Sequence, residues 1–126
     1  MGRTHSYAHY LLTYHHNLRD IKKSQAALKA LKKPADRADF KAYDLRLRAL
    51  RRRVKRAKER IRHTDEYIKT VEDPYVRQAM FYHYTKDYSW LYTATKIGRP
   101  DAADTIRFMV MKYIKELALK KGANRL

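Results

Sequence analysis

Arg48, Arg52, Arg56 and Arg60 stand four apart, one helical turn from each other. The chemistry that spacing can do is the neutralisation of phosphate. From Lys41 to Arg62 there are eleven Lys and Arg, against only Asp44 and Glu59. Like charges four apart on a helix repel, so this face costs stability alone and gains it against a polyanion. An ordinary solvated helix mixes the two signs instead. The histidines offer a second chemistry: His5 and His9 are four apart, a spacing that can share a metal ion, and His15 and His16 are adjacent. No carboxylate or cysteine completes a ligand set, and these positions fall off the apolar stripe. Exposed histidines without a metal are therefore expected. Eleven tyrosines invite base stacking. Tyr7, Tyr14, Tyr43 and Tyr113 fall on apolar stripes, where packing explains them, whereas Tyr10, Tyr88 and Tyr92 are left without an assignment. No nucleophile with a local base, phosphate loop, paired carboxylates or zincin motif appears, so neither catalysis nor a cofactor is expected.

Charge sets the class of partner. The 126 residues carry 30 Lys and Arg against 13 Asp and Glu, a formal net charge of +17. Each neutralised phosphate releases condensed counterions, so nucleic acid is the favoured polyanion, ahead of an acidic membrane surface. Absence of cysteine excludes disulfides and thiolate zinc sites. Apolar runs fall short of a membrane span and no signal peptide is evident, so a cytoplasmic protein is expected. Three glycines and three prolines leave few breaks for so many residues, which implies long helices and an all-α fold.

Two apolar stripes organise the first 73 residues. Tyr7, Leu11, Tyr14, Leu18, Ile21, Gln25 and Leu28 alternate by four and three, with Leu31 extending them, which predicts one helix from about Ser6 to Lys32. Pro34 follows its end, and Asp36 can cap the next. Phe40, Tyr43, Leu47, Leu50, Val54, Ala57, Ile61, Thr64, Ile68 and Val71 keep the same spacing over nearly five heptads. That helix, about Arg37 to Val71, needs an apolar partner. Either the first helix folds back on it as an antiparallel hairpin, or a second copy pairs with it as a homodimer.

Beyond Glu72, Asp73 with Pro74 signals a new helix running to about Tyr84, with Val76, Met80, Phe81 and Tyr84 facing inward. Ser89 can cap a short helix carrying Trp90, Ala94 and Ile97 that stops at Gly98. Pro100 blocks continuation, and another helix starts near Asp101 or Ala102 and runs to about Leu119. Ile106, Met109, Val110, Tyr113 and Leu117 form its stripe. A frayed tail is expected from Gly122. These segments give a hairpin or coiled-coil arm over 1–73, a three-helix module over 74–121 and a tail over 122–126. Two helices, with a small residue in the first and glycine in the turn between them, describe a helix-turn-helix.

Tyr84, Ser89-Trp90, Ala94, Ile97-Gly98, Thr105-Ile106-Arg107 and Lys112-Tyr113-Ile114 carry a resemblance to region 4 of the sigma-70 family. The chain is more similar still to the small phage transcription regulators built on that module. Thr93 stands where the family has an aliphatic residue, and the turn from Arg99 to Ala103 is longer than in sigma factors. The resemblance implies sequence-specific binding of double-stranded DNA in transcriptional regulation, by a phage-encoded protein in a bacterial host, with RNA polymerase as a further partner. It places Ala103, Asp104, Arg107 and Phe108 on the base-reading face with Thr105 beside them. Arg107 suits guanine O6 and N7, and Asp104 a cytosine amino group or the orientation of Arg107. Lys96, Arg99, Lys112 and Lys115 then serve phosphates, as do Arg48, Arg52 and Arg56 on the basic helix. Two rival readings stand beside this one: a helical interaction or inhibitor protein that binds an acidic partner, and a nucleic-acid binder without sequence choice.

Overall fold

The computed structural model describes residues 7–124, with side chains described for 8–117, so His5 and the side chain of Tyr7 lie outside it. Among the described residues the chain is helical throughout its regular structure and has no strand. In order, the helices are α1 (Tyr7–Leu12), α2 (Tyr14–Ala30), a 3₁₀ turn (Arg37–Asp39), α3 (Phe40–Lys69), α4 (Pro74–Met80), a π-helical turn (Phe81–Thr85), α5 (Trp90–Ile97) and α6 (Ala103–Asn124). No described helix is long and apolar enough to cross a membrane. The chain divides into two compact units, His16–Arg62 and the described residues of Met1–His15 with those of His63–Leu126. The boundary differs from the division at Asp73 that the sequence suggests, because the last two turns of α3 carry core residues of the second unit.

The unit of residues 16–62 is an antiparallel helical hairpin. Lys33 lies over the Phe40 ring at 5.8 Å, and the Asp20 carboxylate pairs with Arg53 at 3.1 Å. Ser24 and Ala27 share a cleft with Arg46 and Leu50. The partners run in opposite directions along the two helices. Asp36 caps the 3₁₀ turn by accepting from the Ala38 amide, which starts the return helix. On α3, Leu50 and Ala57 are buried and Tyr43, Leu47, Val54 and Ile61 half-buried, as the heptads require. Within this unit the stripe packs on α2, as in the hairpin alternative. Phe40 is the exception: it sits at the turn end of the hairpin, beside Lys33, and is 43% exposed.

The first helix departs from expectation in one instructive way. It breaks at Thr13, whose amide and hydroxyl both donate to the His9 carbonyl. After the break the buried positions of this segment are Asn17 and Ser24, whereas Leu18 and Gln25, one residue later in each case, are exposed. The helix ends at Ala30, before the expected Lys32.

The second unit is built around Val71, Val76, Ala79, Met80, Ala94 and Val110, with Leu11, Tyr67, Ile68, Tyr84 and Ile106 closing the cluster. Leu11 comes from α1, which packs on α6 and on the π-helical turn. Thr64 donates to the Tyr10 carbonyl, and Arg77 Nη1 donates to the Val71 carbonyl at 2.9 Å, fixing the corner where α3 ends. Asp73 then caps α4 by accepting from the Tyr75 and Val76 amides, with Pro74 at the first helical position.

Two substitutions measure this packing. Leu50→Ala should lower the unfolding free energy by about 2–4 kcal/mol, because it exposes less apolar surface to burial and leaves a cavity. Urea titration followed by circular dichroism measures it, and a neutral result would mean that the stripe is not buried. Thr93 is fully buried and its hydroxyl has no hydrogen-bond partner. Thr93→Val keeps the shape and removes the stranded group, so it should stabilise the fold by about 1 kcal/mol in the same titration.

Candidate nucleic-acid interface

Ser89, Gly98 and Ala102 position the two helices that matter most. The Ser89 side chain accepts from the Tyr92 amide and opens α5. Gly98, with φ at 92°, closes α5 in the left-handed conformation, its amide and that of Arg99 returning to the Thr95 and Ala94 carbonyls. The Ala102 carbonyl takes the first bond of α6 from Ile106, so the helix starts at Ala103, one residue after the later of the two expected starts. Helix α6 then continues through Gly122 to Asn124, past the expected end near Leu119. Helices α4, α5 and α6 pack mutually, and Ala94 is fully buried where α5 meets its neighbours.

With Ile106 and Val110 turned into the core, α6 offers the opposite face to solvent. Asp104, Thr105, Arg107, Phe108, Met111, Lys112 and Lys115 are all exposed on it. Phe108 is 67% and Met111 43% exposed, unusual for large apolar groups within a basic surface. Ala103, expected on this face, is half-buried and packs against the core cluster, because it belongs to the first turn that seats α6. Met111 was not expected there; its place three residues after Phe108 was the available signal. Lys96 and Arg99 are exposed at the end of α5 and in the turn. Lys96 lies 5.4 Å over the Tyr92 ring and Arg99 5.0 Å over the Tyr75 ring.

Residue His83 has no role in the sequence reading, yet it organises the entry to α5. Between α4 and α5 the chain widens into the π-helical turn, so the helix expected to reach Tyr84 keeps α geometry only to Met80. Tyr84 remains buried, but Phe81 turns out to solvent instead of packing inward. The His83 ring stacks on Trp90 at 3.7 Å between centroids, and its Nδ1–H donates to the Tyr88 carbonyl at 2.7 Å. Burial lowers the His83 pKa below its ordinary value, and the Arg107 guanidinium acts in the same direction, against the Tyr88 hydrogen bond and Asp87. The other histidines behave differently from one another: His9 and His16 are exposed as expected, while His15 is half-buried with its Nε2 unpartnered. Among the described residues no group of three or more His, Asp or Glu side chains gathers as a metal site.

In the hairpin unit the basic side chains of α3 form two rows. Arg52, Arg53, Arg56 and Arg60 line a cleft of about 400 Å³ with His16, Asp20 and Ala49. On its other side Arg51, Lys55, Lys58 and Arg62 flank Val54 and Glu59. The second row, spaced by four, three and four, carries a signal in the sequence that the more regular Arg48 to Arg60 series overshadows. Arg48 itself pairs with Asp44 at 3.1 Å, which leaves it a weaker candidate for phosphate than Arg52 and Arg56.

A pH dependence follows from the His83 stack. With its folded pKa lowered, the unfolded chain takes up the proton first as pH falls. The contribution of neutral His83 is therefore complete above its ordinary value of 6.5 and is lost as pH falls below it toward the folded value. Unfolding midpoints should fall between pH 7.5 and about 5, and His83→Gln should flatten that part of the profile. An unchanged slope in the variant would remove His83 from the account. Comparison of the chain with protein-family models, curated proteins and solved structures returns no match, so any kinship rests on the residues and geometry just described.

Proposed function

We propose that this protein binds double-stranded DNA with sequence preference and acts in transcriptional control, α6 entering the major groove. The observation that carries this reading is the division of α6 into two faces. One is locked into a three-helix core behind a capped helix and a glycine turn; the other shows Asp104, Thr105, Arg107 and Phe108 to solvent over successive turns. An α-helix fits the major groove, where each base pair shows a distinct edge. In that groove Arg107 bonds guanine O6 and N7 together, Phe108 meets a thymine methyl, and Asp104 accepts from a cytosine amino group. Lys96, Arg99, Lys112 and Lys115 hold phosphates and set the register without specifying sequence. Arg52 and Arg56, with the second row on α3, add a phosphate attraction that is independent of sequence. By the sigma-like resemblance, RNA polymerase is a further partner, and the setting is a phage gene product in a bacterial cell.

A second reading has one observation in its favour. Phe108 and Met111 on α6, and Leu91 on α5, are exposed large apolar groups, which also suit a protein partner. That makes the chain an interaction or inhibitor protein, its basic rod engaging an acidic surface.

Base readout and phosphate binding fail differently, and this separates the readings. Preferred sites are first selected from random duplex DNA and then titrated at several salt concentrations beside a scrambled duplex. Arg107→Ala should cost about 1–3 kcal/mol on the preferred site and little on the scrambled one. Arg52→Gln with Arg56→Gln should weaken both alike and flatten the salt dependence by about 0.9 for each phosphate that is no longer neutralised. Equal weakening on both duplexes from Arg107→Ala would end the base-reading role of α6. An unchanged salt slope in the double variant would take the rod off DNA, and failure to select any sequence would favour the protein-partner reading.

A further inference from the structure

Tyr88 and Tyr92, which no apolar stripe accounts for, belong to a continuous chain of surface rings. Phe81 meets Tyr82 edge-on at 5.4 Å, Tyr82 lies parallel to Tyr88 at 6.0 Å and 10°, and Tyr88 meets Tyr92 at 4.5 Å. A lysine sits over each end: Lys86 Nζ is 5.4 Å from the Phe81 ring centre and Lys96 Nζ 5.4 Å from that of Tyr92. Core packing does not account for these rings. Phe81 is 42% and Tyr92 46% exposed, and Tyr82 and Tyr88 are half-buried, whereas Tyr84 on the same turn is in the core.

Local backbone geometry holds the rings together. Tyr82 and Phe81 are set by the π-helical turn, an irregular form frequent at functional sites. Asp87 then takes a left-handed φ of 59°, uncommon outside glycine, and turns Tyr88 back. The Tyr88 amide donates to the Tyr82 carbonyl at 3.2 Å and the Tyr88 carbonyl accepts from His83, so the ring is fixed between its two neighbours. A wide turn and a strained residue in one short connection are the kind of irregularity that a site sustains.

We propose that this ladder is a binding site for the unpaired bases of single-stranded nucleic acid. Tyrosine faces stack on any base, and lysines at the ends of the ladder meet the flanking phosphates. Charge favours this occupant over a peptide: the rings are bracketed by Lys86 and Lys96, only Asp87 lies within the connection, and the chain carries +17. Bases inside a duplex keep their faces stacked on each other and cannot use the ladder. The site is therefore distinct from the α6 face and does not depend on the reading given to that face.

The test is a titration of the full chain with a short fluorescent oligothymidylate, and with an abasic strand of the same length and charge. An oligouridylate is run in parallel to tell DNA from RNA as the source of the bases. Either base-bearing strand should bind about tenfold or more tighter than the abasic one at fixed salt, the effect expected of stacking one or more bases. Tyr92→Leu with Phe81→Leu keeps both surface positions apolar and should erase that preference while leaving abasic binding unchanged. Tyr92→Phe should retain it. Equal affinity for base-bearing and abasic strands overturns the proposal, as does a preference that survives the double leucine variant.

Discussion

A single apolar stripe on a very basic helix is the constraint from which the rest of the molecule follows. Helix α3 must bury Leu47, Leu50, Val54, Ala57 and Ile61 on one side while Lys and Arg occupy nearly all the remaining circumference. Burial of such side chains stabilises by roughly 1.5–3 kcal/mol each, enough to hold a helix whose charges work against it. Acid groups relieve little of that repulsion. Asp44 takes Arg48 and Asp20 takes Arg53, and exposed pairs of this kind contribute about 0–1 kcal/mol. The remaining cations outnumber the acids beside them: Arg52, Arg56 and Arg60 share their cleft with Asp20, already paired with Arg53, and Arg51, Lys55, Lys58 and Arg62 have only Glu59 in their row. A polyanion held against that face would turn the arrangement from a cost into a gain.

Helix α3 was legible because its period is regular, and so were the caps. Asp36, Asp73, Ser89 and Gly98 each stand where the chain must satisfy free backbone groups, and each does so by the bond its chemistry predicts. The stripe of the first helix was harder to read. Its residues fit a strict alternation of four and three, but beyond the interruption at Thr13 the stripe keeps partial burial at Tyr14, Ile21 and Leu28, while Asn17 and Ser24 are buried in place of Leu18 and Gln25. The small polar Asn17 and Ser24 then face the partner helix, and bulky Leu18 is left at the margin. Ser24 suits close approach of two helices, a preference for size that a hydropathy pattern does not register.

In the candidate interface the apolar half was readable and the aromatic half was not. Ile106, Val110 and Ala94 are buried at the spacing that marks them, which leaves Arg107 and Phe108 outward by the geometry of a helix. Ala103 is half-buried because it packs against the core at the start of α6, whereas Asp104 and Thr105 beside it face solvent. His83 gives no periodic signal, since its partners Trp90 and Tyr88 meet it only through the π-helical turn. A wider turn rotates every later side chain relative to an α-helix, and a pattern read at 3.6 residues per turn cannot foresee it. Phe81, at the start of that turn, is an apolar residue on an expected inward face that stands on the surface.

The unit holding α6 draws its core from residues far apart in the chain. Leu11 comes from α1, Tyr67 and Ile68 from the end of α3, Val71 from just beyond it, and only the remainder from beyond Pro74. A helix-turn-helix cut at Asp73, where the change in composition suggests a boundary, would lose Val71 from the interior and the carbonyl that receives Arg77. Removing several fully buried apolar groups from so small a core exceeds what a marginally stable domain can tolerate. The core that seats α6 therefore depends on the same long helix that carries the basic rows. Its apolar stripe serves the hairpin through Leu50 and Ala57 and the second unit through Ile68, with Val71 just past its end. A chain this short obtains two compact units by making one helix a structural member of both, which is why its strictest sequence periodicity runs unbroken across the boundary between them.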